Sequence, residues 1–230
     1  VVIDPRTRGI RVLVGGSTTS VGFNRASQAH RQPGSTFKAF VYAAALRSRR
    51  FTAASVITPE DIQADMLVTR VPDAAEVVEP VRMRRALARS LNPVAVHLLL
   101  ALGAEPVIGT AREAGITSPL DPNPSLALGA SEVSPLELVN AYATFATGGR
   151  FEETHYIERI VGPDGHAVTL PARAPSRQVF TPAESFMVTS LLRGVVDEGT
   201  AVSAQNLHRP VVGKTGTSNE ARDTWFVGYT

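Results

Sequence analysis

The chain has 230 residues, 43% of them apolar and 19% charged, with a formal net charge of +2. That is the make-up of an ordinary globular domain able to bury a sizeable core. With no cysteine, disulfides and thiolate chemistry are excluded. His30, His97, His155, His166 and His208 stand at no metal-ligand spacing, so neither metal nor cofactor is expected. Basic residues are not interleaved with aromatics, which argues against a nucleic-acid partner. Arg82, Arg84, Arg85 and Arg89 read as a solvated helix face rather than a membrane patch.

Residues 1–4 and 10–14 are β-branched runs on either side of Pro5 to Gly9, the pattern of a hairpin. The first residue is Val1, already inside a strand-like run, and Thr230 ends another, so the chain reads as a piece of something longer. Pro33-Gly34 precedes residues 35–46, a segment apolar nearly all round and therefore expected as a buried helix. Residues 52–150 form a mostly helical part. Asn92-Pro93 offers an N-cap and a first-turn proline, while Ser134-Pro135-Leu136-Glu137 is a capping box whose helix stops at Gly148-Gly149. Thr181-Pro182-Ala183-Glu184 repeats the device before residues 185–196. Between them, 156–161 and 167–170 flank Pro163-Asp164-Gly165 as a second hairpin, and strand-like runs at 210–214 and 225–230 close the chain. Strands at both ends with helices between argue an α+β fold whose terminal strands pair into one sheet.

Of the 23 basic residues only Lys38 and Lys214 are lysines. Lysine differs from arginine in losing its proton at accessible pH when desolvated, so its rarity here points to special chemistry. Ser35-Thr36-Phe37-Lys38 puts a hydroxyl and an amine one helical turn apart at a helix N-terminus. There Ser35 is a candidate nucleophile and Lys38 its proton acceptor. Alone, Ser-x-x-Lys is weak evidence, and Ser35 reads more plainly as an N-cap. Lys214-Thr215-Gly216-Thr217 supplies a cation, two hydroxyls and a glycine that permits close backbone approach, a set suited to a carboxylate and an oxyanion. A phosphate loop fails because His208 stands where that motif needs glycine. Ser90-Leu91-Asn92 is the chain's single Ser-x-Asn; its residues suit a proton relay and a substrate amide, with capping at Pro93 as the plainer alternative for Asn92. A Ser-His-Asp triad lacks the nucleophile elbow, since no second glycine follows Ser35.

Taken together, Ser-x-x-Lys, Ser-x-Asn and Lys-Thr-Gly in that order are the motif set of penicillin-binding proteins and related β-lactamases. The chain resembles the transpeptidase domain of class A penicillin-binding proteins from Val1 to Thr230. Further likeness lies in Gly15-Gly16, Phe23-Asn24-Arg25-Ala26, Arg31-Gln32-Pro33-Gly34-Ser35, residues 126–149 and residues 223–229. The resemblance implies one domain over 1–230, an antiparallel sheet flanked by helices, and a serine acyl-enzyme cross-linking peptidoglycan stem peptides that β-lactams also acylate. Ser35, Lys38, Ser90, Asn92 and Lys214 would be catalytic, with Thr215, Gly216 and Thr217 binding substrate and the Ser35 and Thr217 N–H groups forming the oxyanion hole. It also implies a membrane-anchored parent with a glycosyltransferase domain, working on the outer, periplasmic side of the cytoplasmic membrane. Its sheet places one further strand, expected beyond Thr230, between the N-terminal hairpin and the Trp225 strand, so a strand-wide gap is expected there. A β-lactamase using Glu137 and Asn140, or a non-catalytic β-lactam sensor, are the alternatives.

Overall fold

A computed structural model describes residues 1–16, 22–217 and 223–230. The N-terminal hairpin is β1 (Val2–Ile3) against β2 (Ile10–Val12). The buried helix follows as α1 (Lys38–Arg47), entered through a 3-10 turn over Gly34–Phe37. Every residue from Lys38 to Ala45 is buried, which explains why the segment shows no polar stripe: it has no solvent face to mark. The ring of Phe40 sits 5.2, 6.0 and 5.9 Å from those of Phe37, Tyr142 and Phe145, the aromatic heart of the core.

The middle of the chain contributes β3 (Val56–Ile57), α2 (Pro59–Met66), β4 (Val81–Arg82), α3 (Met83–Ala88), α4 (Asn92–Leu102), α5 (Ala104–Ala114) and α6 (Pro135–Ala146). Both capping boxes expected at Ser134 and Thr181 form, each with proline in the first turn. A third at Thr58, closed by Asp61, was not anticipated, because aspartate replaces the usual glutamate. Short ladders follow: β5 (Arg150–Phe151) pairs with β8 (Arg177–Gln178), and β6 (Ile160–Val161) with β7 (Ala167–Val168), the expected second hairpin. After α7 (Pro182–Asp197), β9 (Val212–Thr217) and β10 (Thr224–Tyr229) run antiparallel, with Lys214 opposite Val227 and Gly216 opposite Trp225.

The terminal strands do not pair into one sheet, which corrects the reading from strand order alone. Among the described residues, β1–β2 and β9–β10 are separate two-stranded ladders. Between them lies a cavity of about 380 Å³ lined in part by Val1, Ile3, Val139, Phe226 and Tyr229. Paired strands must sit within about 5 Å of each other, and the two ladders are instead separated by this cavity, in keeping with the gap that the family's topology implied. The first hairpin is instead tied down by Arg8, which is 1% exposed. Its guanidinium donates to Asn140 O (3.0 Å), Asn140 Oδ1 (2.9 Å), Thr147 Oγ1 (3.1 Å) and Arg150 O. Burial lowers its pKa to about 10, against the opposing charge of Glu152, so it stays charged near neutrality and well satisfied by carbonyl dipoles.

Candidate active site

The 3-10 turn that carries Ser35 owes its shape to two glycines. Gly34 has φ +54°, and a Cβ there would lie 2.6 Å from Thr217 O. Gly216, on β9, would place a Cβ 2.5 Å from Pro33 O and 2.8 Å from Thr36 Cγ2. Backbone therefore meets backbone, and the Lys-Thr-Gly-Thr strand lies directly against the turn that carries Ser35. The turn is braced from behind by Tyr142, whose hydroxyl donates to Thr36 O at 2.7 Å, and by Trp225 Nε1, which donates to Gln32 O at 3.0 Å.

The third motif arrives from the end of α3, where Ser90 takes φ +60°. Lys38 Nζ donates to Ser90 O (2.6 Å), Asn92 Oδ1 (2.6 Å) and Ser90 Oγ (3.3 Å). Lys214 Nζ donates to the same Ser90 Oγ at 2.8 Å and to Thr215 O at 3.0 Å. Thus the two lysines meet on the Ser90 hydroxyl. The pairing of Lys38 with the Ser35 hydroxyl, expected from their spacing, is not what the hydrogen bonds show; Lys38 is drawn instead to a carbonyl and an amide oxygen, the stronger acceptors. Asn92 makes no side-chain cap. Its Oδ1 faces Lys38 while its Nδ2 donates to Asp73 Oδ2 at 2.6 Å, so the plain capping alternative is set aside.

Both lysines are fully buried, at 0% exposure. Desolvation lowers the Lys38 pKa to about 7, with Glu76 and then Asp73 opposing. Lys214 also falls to about 7, through desolvation and then the neighbouring Lys38 charge. Two amines sharing one hydroxyl near neutral pH can hold a proton between them or give one up, which is what a base beside a nucleophile needs. The same shifts bear on stability. Unfolded lysines keep pKa values near 10.5, so between pH about 7 and about 10 the unfolded chain binds more protons and stability rises with pH. Above about 10 the slope reverses, because burial raises Tyr42, Tyr142 and Tyr229 (the last to about 12) and the folded state then holds the extra protons. Thermal melts from pH 6 to 11 should trace this rise and fall; a midpoint flat between 7 and 10 would show the lysines to be hydrated.

Thr215 is half-buried, with its hydroxyl 2.5 Å from Thr200 Oγ1, and Thr217 is exposed at the end of β9. Glu137 and Asn140 are committed elsewhere. Glu137 closes its capping box and accepts from Thr117, while Asn140 takes Arg8 on its oxygen and donates to Glu152 O. Arg82, Arg84, Arg85 and Arg89 are exposed as expected, and also rim a cavity of about 440 Å³ with Glu76 and Leu91. Residues that reading the sequence missed are Asp73 and Glu76 beside Lys38, and Gly129, where a Cβ would meet Gly34 O at 2.2 Å. Only the glycine lay within a recognisable stretch, residues 126–149.

A hydroxyl-bearing turn lies against a strand edge, and beside it two buried amines share one serine hydroxyl, on an α+β scaffold. The model for the penicillin binding protein transpeptidase domain matches residues 1–230, and the chain belongs to that family. Penicillin-binding protein 1A of Neisseria cinerea is 36% identical over 242 residues, covering 100% of this chain, and that of Pseudomonas aeruginosa is 34% identical, covering 99%. The chain spans about a third of these relatives, 30% and 34% respectively. Among solved structures, penicillin-binding protein PonA1 from Mycobacterium tuberculosis superposes with a TM-score of 0.80 at 26% identity, covering 99% of this chain and 64% of that one. The same protein in complex with penicillin V gives 0.79 at 25% identity.

Proposed function

We propose that this domain is a D,D-transpeptidase of peptidoglycan assembly, and that β-lactams acylate it as substrate mimics. The observation that carries the reading is the Ser90 hydroxyl bridging two buried lysines, Lys38 and Lys214, beside the turn that bears Ser35. In the reaction Ser35 Oγ forms an ester with the carbonyl between two D-alanines, its proton passing to Lys38. The terminal D-alanine leaves as an amine, receiving a proton relayed through Ser90. An amine of a neighbouring stem peptide then displaces Ser35, completing the cross-link; water in its place gives the carboxypeptidase outcome. Thr215 and Thr217 hold the donor carboxylate under the influence of Lys214, Gly216 permits the close approach, Asn92 holds a peptide amide, and the Ser35 and Thr217 N–H groups stabilise the oxyanion. We further assign residues 1–230 to one transpeptidase unit of a membrane-anchored parent with a glycosyltransferase domain, facing the periplasmic side of the cell envelope. The resemblance and the partial coverage of the relatives support this assignment.

Intact-mass spectrometry after exposure to benzylpenicillin tests it. A persistent adduct of the full drug mass, mapped to Ser35 and lost in Ser35→Ala, is expected. Rapid turnover of the drug would indicate a β-lactamase, and no adduct in the folded protein an inert domain.

A further inference from the structure

The acidic turn opposite Lys38 was invisible in the motifs, and its geometry is specific. Asp73 stands at φ +58°, a left-handed conformation that aspartate tolerates but that costs energy in most residues. From there its carboxylate accepts the Asn92 amide N–H at 2.6 Å. An amide side chain has two chemically opposite ends, and only one orientation of Asn92 offers oxygen to an ammonium. With Nδ2 committed to Asp73, Oδ1 must face Lys38 Nζ, where it accepts at 2.6 Å.

We propose that Asp73 is a positioning residue for acyl transfer: its carboxylate locks the Asn92 amide with oxygen toward Lys38, and it stands with Glu76 as one of two carboxylates acting on that amine. The kinetic part rests on the transpeptidase reading above. Groups facing Lys38 come from three elements. Ser90 and Asn92 flank it after α3, Lys214 approaches from β9, and Asp73 and Glu76 lie on the turn between α2 and β4. The two carboxylates oppose the desolvation that lowers its pKa. Glu76 acts through charge, whereas Asp73 acts through charge and through the amide bond, and this difference makes the roles separable.

With only two lysines in the chain, 13C-labelled lysine gives two Cε signals whose titration can be followed directly, each assigned by its loss on single replacement. Asp73→Asn keeps an acceptor for the Asn92 N–H but removes the charge, so the Lys38 midpoint should fall by about half to one pH unit. Glu76→Gln should do the same. In parallel, labelling by a fluorescent penicillin is measured from pH 5 to 9. Asp73→Asn and Glu76→Gln should move the acid limb lower while keeping the plateau rate. Asp73→Ala should move the limb and also lower the plateau by roughly tenfold, because the amide is released. An unmoved Lys38 midpoint in Asp73→Asn, or a plateau in Asp73→Ala equal to that of Glu76→Gln, overturns the proposal. If the parent chain is not labelled at all, the transpeptidase reading fails, and the lysine titration still decides whether Asp73 governs Lys38. Matched melting temperatures exclude a folding defect, and Asp73 is exposed.

Discussion

Replacing Lys38 by arginine is expected to slow acylation of Ser35 by a fluorescent penicillin by about 10³-fold, or ~4 kcal/mol of transition-state stabilisation. The proposed base must be neutral when it takes the Ser35 proton. Burial brings lysine there, with a pKa of about 7, whereas a guanidinium stays protonated well above any pH at which the protein is used. Geometry reinforces the effect. The Lys38 ammonium fits between Ser90 O and Asn92 Oδ1, at 2.6 Å from each, with no exposed surface. A longer planar fork has no room to make those bonds without displacing Ser90. The measurement is the second-order labelling rate, with non-covalent binding followed separately by competition and folding by circular dichroism. Labelling at the parent rate would remove Lys38 from the role of base.

A single methyl group at Gly216 should be nearly as damaging, by a different route. Gly216→Ala puts a carbon 2.5 Å from Pro33 O and 3.1 Å from Thr36 N, and these are backbone atoms that cannot swing aside. The edge of β9 must then move off the turn, carrying the Thr215 and Thr217 groups away from Ser35. A displacement of about 1 Å in a reacting constellation is worth on the order of 10²-fold in rate. Gly109→Ala is the matched comparison. It lies within α5, with nothing inside 4 Å of the added carbon, so it should leave labelling unchanged and stabilise by up to ~1 kcal/mol through helix propensity. Equal labelling by the two variants would show that β9 does not need to lie against the Ser35 turn.

Much of the local structure was written in short-range chemistry. The capping boxes at Ser134 and Thr181, the hairpin around Pro163-Asp164-Gly165 and the buried helix after Pro33-Gly34 all formed where the residues indicated. Each depends on groups within a few positions of one another, so the pattern is contained in the segment itself. The rarity of lysine likewise pointed to two of the site's residues before any contact was known. Strand partnership was a different matter. That β1–β2 and β9–β10 stand apart depends on which edges tertiary packing brings together, which no run of β-branched residues records.

The electrostatic character of the site also belonged to tertiary structure. From motif order alone, Lys214 reads as a cation for a carboxylate. In the fold it is fully buried and turned to Ser90 Oγ, and burial beside Lys38 brings its pKa to about 7. Asp73 lies 19 residues before Asn92 in the chain, with no motif around it, yet its carboxylate is hydrogen-bonded to the Asn92 amide. The amino-acid sequence by itself determined which side chains are chemically capable, because reactivity is a property of residue type and near neighbours. Which oxygen each amine faces, and how firmly each holds its proton, was decided only when α1, the end of α3 and β9 came together. Desolvation and charge–charge interaction depend on distance through space rather than along the chain.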